Sequence, residues 1–310
     1  MKQKHLLSLK DFSAPELEEI FDLAARMKAN PAAYSRTLEG KSLAMIFQKP
    51  STRTRVSFEV GMFQLGGQAM FLGSDQIQVL RGESIDDTAK VLSGYVDGIL
   101  ARVHSHEDLL NLARHGTVPV INGLSDLLHP VQAIADFFTL RELKGDLGST
   151  KLAYVGDGNN MCHALLLGAV KLGVSMEVAT PAGYEPNPLM VKSAVRDAQK
   201  AKTPPPVLTQ DARAAIAGAD CVYTDVWTSM GQEAETQARK AAFQGFCVTP
   251  ELMSVAKRDA VFMHCLPAHR GEEVAAEVID GPQSVVFLQS ENRLHVQKAI
   301  LALLLGGRLP

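Results

Sequence analysis

Two hydrophobic rhythms take turns along this chain. Ser13 followed three residues later by Glu16 forms a capping box, after which Leu17, Ile20, Phe21 and Ala24 fall on one helical face. The chain therefore opens with an amphipathic helix. Short apolar runs follow at residues 43–47, 68–72, 98–103 and 118–121, with longer helical patterns between them. A polar, glycine-bearing stretch at 144–150 interrupts the alternation. It restarts at 152–155, 176–180, 221–225 and 261–265. Strands that read as continuous apolar runs are buried on both faces, as parallel strands between helix layers must be. The pattern predicts an α/β protein of two domains, each with a central parallel sheet flanked by helices. The Pro-rich piece at 203–207 reads as a surface connection. The last pattern, 293–305, is apolar nearly all round at its end and is expected to pack into the body of the protein.

Composition narrows the partners. A length of 310 residues fits two domains at roughly 150 each. With 46% hydrophobic and 21% charged residues, each has material for a core, which excludes disorder. The 31 basic and 34 acidic residues give a net charge of −3, and no basic block occurs. That balance argues against nucleic acid or an anionic membrane as partner and favours small molecules. Cys162, Cys221, Cys247 and Cys265 show no CxxC spacing and read as reduced thiols, so a cytoplasmic location is expected. The first ten residues carry no apolar run of signal length, and no segment approaches the ~20 residues of a membrane span, so export and anchoring are not expected.

In open parallel sheets ligands bind beyond the carboxyl ends of the strands, and the unusual polar residues collect there. After the run at 43–47 come Ser51, Thr52, Arg53, Thr54 and Arg55, then a helical pattern. Ser51 or Thr52 would cap that helix, and its N–H groups, three hydroxyls and two guanidinium groups suit a phosphate dianion. Arg102 ends a buried run, where an unpaired charge would be costly without an anion or acid beside it. His129 and Gln132 flank the start of a helix from about 133 to 143 and could face the same pocket.

In the second half, Gly156-Asp157-Gly158-Asn159-Asn160 superficially suggests a dinucleotide fingerprint. The third glycine position holds Met161, and Ala179 and Thr180 stand where a ribose-binding acid belongs, so a nicotinamide dehydrogenase is a weak alternative. Asn159 and Asn160 could still read a carboxylate or an amine. Asp225 to Gly231 puts an acid, the only tryptophan and a glycine-closed loop together, and an acid there can hold a substrate ammonium. His264-Cys265-Leu266-Pro267 places a thiol at the mouth of a strand. His104 with His106, and His264 and Cys265 with His269, are ligand-type residues, but neither group has zinc-motif spacing, so no metal site is expected. A cysteine-nucleophile hydrolase using Cys265 is a further alternative, although a Cys in an apolar strand is more often inert.

Taken together, Ser51-Thr52-Arg53-Thr54-Arg55, His129-Pro130-Val131-Gln132, Asp225 to Gly231 and His264-Cys265-Leu266-Pro267 resemble the aspartate/ornithine carbamoyltransferase family over the full length. The first two motifs indicate carbamoyl phosphate as donor without fixing the acceptor. Asp225 with Ser229-Met230-Gly231, and Cys265 where aspartate-specific relatives carry proline, look like the ornithine-specific branch. The resemblance implies transfer of the carbamoyl group to the δ-amine of L-ornithine, giving L-citrulline and phosphate, as in arginine biosynthesis. The alternatives are a carbamoyltransferase for another amine or amino acid, and a catalytically silent paralogue.

By motif position, the resemblance gives Ser51, Thr52, Arg53, Thr54, Gln78, Arg102, His129, Gln132, Cys265, Leu266 and Arg293 to carbamoyl phosphate. Asn160, Asp225, Ser229 and Met230 go to ornithine, and Arg102, His129 and Cys265 to catalysis. Gln78 matches a loop residue contributed by a neighbouring subunit, and Leu80 departs from the glycine many members have there. The same resemblance implies a donor domain at 1–143, an acceptor domain at 144–292, a C-terminal helix (293–310) packed back on the first, and an active site in the cleft between them. It also implies a homotrimer or a multiple of trimers, with no cofactor and no metal.

Overall fold

A computed structural model describes residues 2–73, 83–229 and 233–310. It divides into two compact units, one of Met1–Phe138 with Glu291–Pro310, the other Thr139–Ser290. In the first unit helix α1 (Ala14–Ala29) begins at the Ser13–Glu16 capping box expected from the sequence. There follow β1 (Ser42–Phe47), α2 (Thr52–Gln64), β2 (Gln68–Gly73), α3 (Ile85–Ser93), β3 (Gly98–Arg102), α4 (His106–His115), β4 (Val120–Leu124) and α5 (Pro130–Lys144). The four strands form a parallel sheet in the order β2-β1-β3-β4. Its central strands are buried at almost every position, which is why they read as unbroken apolar runs. Ala44, Ile46, Ile99, Ala101 and Val120 pack on one side against Leu109 and Leu112 of α4.

The second unit contains β5 (Lys151–Val155), α6 (Asn160–Leu172), β6 (Ser175–Ala179), α7 (Pro188–Ala201), β7 (Val207–Thr209), α8 (Ala212–Ile216), β8 (Cys221–Thr224), α9 (Thr236–Ala242), α10 (Pro250–Met253), β9 (Val261–His264) and α11 (Ala276–Ile279). These strands form a parallel sheet in the order β7-β6-β5-β8-β9. Val155, Val222 and Phe262 anchor a core that includes Trp227, Phe243 and Phe246. The edge strand β7 escapes the sequence pattern because Val207 and Leu208 are exposed, so it has no buried run to announce it. The final helix, α12 (Val286–Leu304), starts seven residues before its periodicity suggests, since Gln289, Asn292 and Arg293 are polar yet buried.

Each sheet has one place where neighbouring strands send the chain in opposite directions: between β1 and β3 in the first, and between β5 and β8 in the second. Such switch points open a crevice at the strands' carboxyl ends. Among the described residues, no helix is long and apolar enough to cross a membrane.

Candidate active site

At the first switch point β1 delivers the chain to Ser51, which caps α2 by accepting a hydrogen bond from the Thr54 N–H at 3.3 Å. Thr52, Arg53 and Thr54 therefore occupy the first helical turn, where backbone N–H groups lack helical acceptors and favour an anion. The Gln48 N–H donates to the Arg102 carbonyl at 2.8 Å, tying the ends of β1 and β3 together. Arg102 itself is buried. A Ser125 turn after β4, whose hydroxyl accepts from the Leu127 and Leu128 N–H groups, sets His129 immediately before α5.

Every residue from 128 to 140, which takes in α5 as far as Leu140, is buried, so the polar residues there must find partners inside the protein. Gln132 donates to Asp136 one turn on at 2.7 Å and accepts from Arg293 Nη1 at 2.8 Å. Arg293 Nη2 donates to Thr54 Oγ1 at 2.8 Å. One guanidinium thus links the α2 cap to α5. Burial, then the charges of Arg293, Arg102 and Arg53, hold the His129 imidazole well below its ordinary pKa. His129 is neutral at pH 7, and its Nδ1 has no hydrogen-bond partner among the described residues. The structure brings Thr54, His129, Gln132 and Arg293 together within one unit, in the field of Arg53 and Arg102.

At the second switch point Asn159 caps α6, its Oδ1 accepting from the Met161 and Cys162 N–H groups. Its amide Nδ2 donates to Asp225 Oδ2 at 2.8 Å across the gap between β5 and β8. Asp225 Oδ1 accepts from its neighbour Val226 N–H and from the Cys265 thiol, with Sγ at 3.1 Å. The acid that follows β8 is therefore held by groups from the segments that follow β5 and β9, the strands on either side. Asn160 opens α6 beside this cluster, and Ser229 lies four residues beyond Asp225. Arg239 secures the segment between them: it donates to the Trp227 carbonyl at 3.0 Å, pairs with Asp157 at 3.1 Å and with Glu235 at 2.9 Å.

Asp225, His264 and Cys265 offer ligand atoms within 4.8 Å of one another. A cation would find the imidazole already engaged, because His264 Nδ1 accepts from the Leu266 N–H at 2.8 Å and Nε2 faces Glu273. The glycines that suggested a dinucleotide site have another explanation. A Cβ on Gly158 would stand 2.2 Å from the Pro186 nitrogen, so this glycine lets the 185–186 segment cross over the β5–α6 turn.

Residues 4–142 match the family profile described as "Aspartate/ornithine carbamoyltransferase, carbamoyl-P binding domain", and residues 149–304 match its "Asp/Orn binding domain". The chain belongs to the aspartate/ornithine carbamoyltransferase family. Similar members include the ornithine carbamoyltransferase of Thermococcus kodakarensis, 54% identical and covering 98% of this chain and 97% of its own. The anabolic ornithine carbamoyltransferase of Pyrococcus furiosus is 53% identical over 98% of this chain and 97% of its own. A solved Pyrococcus furiosus ornithine carbamoyltransferase superimposes with a TM-score of 0.94 at 53% identity, covering 98% and 97% of the two chains. The anabolic enzyme of Campylobacter jejuni does so at 0.92 with 41% identity, covering 97% and 99%.

Within this carbamoyltransferase fold, Gln78, Leu80 and Met230 lie outside the described residues. Two contributors, Asp136 and Arg239, escaped the sequence reading, and a third, Asn159, was named there with Asn160 only as a possible reader of a ligand. Asn159, rather than its neighbour Asn160, makes the hydrogen bond to Asp225. An Asn directly before a long apolar helix is a capping signature that could have singled it out. Asp136 orients Gln132 from one turn away, a spacing visible in the sequence once α5 is known to be buried. Arg239 had only its i,i+4 neighbour Glu235 as a local signal, since Trp227 and Asp157, the partners that matter to the site, come from two other segments.

Proposed function

We propose that this chain transfers the carbamoyl group of carbamoyl phosphate to the δ-amine of L-ornithine, forming L-citrulline and phosphate. The observation that carries the choice of acceptor is the Asp225–Cys265 pair at the ends of adjacent strands, with Asn159 on the other carboxylate oxygen. A carboxylate fixed on both oxygens is a ready partner for the α-ammonium of an amino acid. The names of the relatives point the same way.

On the donor side, Ser51, Thr52, Arg53 and Thr54 hold the phosphate at the start of α2. Arg102, His129 and Gln132 face the carbamoyl group, with Arg293 behind them. Thr54 Oγ1 already accepts from Arg293, which turns its own proton outward as a donor. Neutral His129 and cationic Arg102 hydrogen-bond the carbonyl oxygen as it gains charge, a contribution of ~10²- to 10³-fold per donor. The guanidinium groups and helix start then stabilise departing phosphate.

The acceptor presents the harder problem. With a lysine-like pKa of ~10.4, about one δ-amine in 2,500 is neutral at pH 7, a handicap of roughly 4.6 kcal/mol. The nearby donor-binding cations disfavour a second positive charge, whereas a carboxylate against the δ-nitrogen would favour it. Asp225 therefore serves the α-ammonium, together with Asn160, Ser229 and Met230. Cys265, a thiol hydrogen-bonded to Asp225, and Leu266 flank the attacking nitrogen. By family resemblance the chain works as a cytoplasmic homotrimer, or a multiple of trimers, with Gln78 completing a neighbour's donor site; light scattering checks the assembly.

Product analysis tests the reading directly. Purified protein given carbamoyl phosphate with L-ornithine, putrescine, N-acetylornithine or L-aspartate is expected to form citrulline from L-ornithine and to leave the others essentially unreacted. Equal or faster turnover of another amine would reassign the acceptor, and no turnover of carbamoyl phosphate would make the chain a silent paralogue.

A further inference from the structure

Gln48, the first residue after β1, is a half-buried polar side chain that the proposed reaction does not use. Its backbone continues the ladder with β3, where Phe47 pairs with Arg102, because the Gln48 N–H donates to the Arg102 carbonyl at 2.8 Å. In a regular parallel pair the next bond runs from the His104 N–H to the main-chain carbonyl of Gln48. Here the side chain takes that bond: the His104 N–H donates to Gln48 Oε1 at 2.7 Å. The main chain bends out of the sheet at Gln48 and reaches Ser51, the cap of α2, three residues later. Gln48 Nε2 donates to Asp108 Oδ2 on α4 at 3.3 Å, which fixes the orientation of the amide, since turning it over would set donor against donor and acceptor against acceptor. On the other side of the same segment the Val103 N–H donates to the Leu124 carbonyl at 3.0 Å. Residues 102–104 are thus clamped between the end of β4 and Gln48.

We infer that Gln48 is a positioning residue for the donor site: its side-chain oxygen stands in for a strand rung, so that the chain can leave β1 toward Ser51 and Arg53 while Arg102 stays in register beside it. The inference deepens the reading given above and rests on it. A main-chain rung would hold Gln48 in the sheet, whereas the side-chain rung frees the backbone to turn into α2 and still gives the His104 N–H an acceptor.

Two substitutions of similar length separate the acceptor from the bulk of the side chain. Gln48→Glu keeps an oxygen for the His104 N–H and adds a negative charge, which by itself opposes binding of a phosphate dianion. Gln48→Met keeps the length and removes the oxygen. In calorimetry Gln48→Met is expected to bind carbamoyl phosphate ~10-fold more weakly than wild type, the scale of one lost hydrogen bond, while Gln48→Glu stays within about threefold. A Glu variant that binds better than the Met variant owes this to the acceptor, because its charge acts the other way. A merely structural role would lower the melting temperature of Gln48→Met without moving the affinity of the folded protein. The His104 amide, followed by 15N-resolved hydrogen exchange, should be protected in wild type and in Gln48→Glu and lose ~10-fold or more of its protection in Gln48→Met. The wild-type titration tests the underlying reading, and absence of carbamoyl phosphate binding there overturns both. With wild type binding, a Met variant of equal affinity, or a Glu variant no better than Met, overturns the inference alone. Should Gln48→Met fail to fold, the wild-type His104 amide decides: protection in the ligand-free protein supports the inference, and exchange at the free-peptide rate overturns it.

Discussion

His129 and Asp157 show how burial sets the chemistry of single residues here. Burial and three guanidinium groups keep the imidazole of His129 neutral, so it can stabilise a developing oxyanion only as a hydrogen-bond donor. Asp157 is displaced in the opposite sense. Burial pushes its carboxyl up to about 6 from an ordinary 3.8, against the pull of Arg239, which lies 3.1 Å away, and with help from the charges of Asp225 and Glu235. A carboxyl whose folded pKa exceeds its unfolded value binds its proton more tightly in the folded state. Its contribution to stability is complete below the unfolded value and is lost as pH rises through the folded one. From pH 5 to pH 7.5 this group should lower the unfolding free energy by about 1 to 2 kcal/mol. Asp157→Asn lacks the titration. Whatever it costs by weakening the Arg239 anchor, its deficit relative to wild type should shrink by that amount between pH 5 and pH 7.5 in urea unfolding. A deficit that grows with pH would show that Arg239 outweighs burial and that the carboxylate is the favoured form in the fold.

Among the elements, helix starts carry much of the proposed function, and the two switch points use theirs differently. The start of α2 gathers N–H groups and hydroxyls of the kind that suit an anion, whereas the start of α6 uses one cap to aim a carboxylate. Asn159 does both jobs with separate atoms, Oδ1 on the helix and Nδ2 on Asp225. Asn159→Ser keeps an oxygen for the cap and loses the donor, so thermal stability should fall by no more than a few tenths of a kcal/mol while KM for ornithine rises at least tenfold. Asn159→Ala should show the same KM change with about 1 kcal/mol less stability. Equal KM in wild type and Asn159→Ser would remove Asn159 from the acceptor site. The cap on α2 was legible because Ser and Thr follow a buried strand and precede an apolar helix. The second role of Asn159 was not, because its partner is 66 residues away and only strand order brings β5 beside β8. Strand β7 was illegible for the opposite reason: its residues are exposed and carry no burial pattern.

For the molecule as a whole, alternating runs were enough to read two α/β units, since buried parallel strands leave continuous apolar stretches that solvent-facing strands do not. The motif residues were legible as chemistry; the second layer behind them, Asp136, Arg239, His264 and Glu273, was not, because buried polar partners are chosen by three-dimensional packing. The division of labour leads to a test at the same scale. Arg53, Arg102, His129, Gln132 and Arg293 all belong to one compact unit, and Asn159, Asp225, Ser229 and Cys265 to the other. Substitutions in the two sets should therefore fail in different ways. Arg53→Ala removes a guanidinium from the helix start proposed to bind phosphate and is expected to abolish measurable carbamoyl phosphate binding in calorimetry. Asp225→Ala removes the proposed α-ammonium partner and should bind carbamoyl phosphate with wild-type affinity while citrulline formation falls by ~10²-fold or more, the scale on which deleting one partner of a charged contact acts. Equal donor affinity in wild type and Arg53→Ala would break the donor assignment. Loss of donor binding in Asp225→Ala, with the fold intact by circular dichroism, would show that the carboxylate serves the donor and that the acceptor ammonium must be held by some other group.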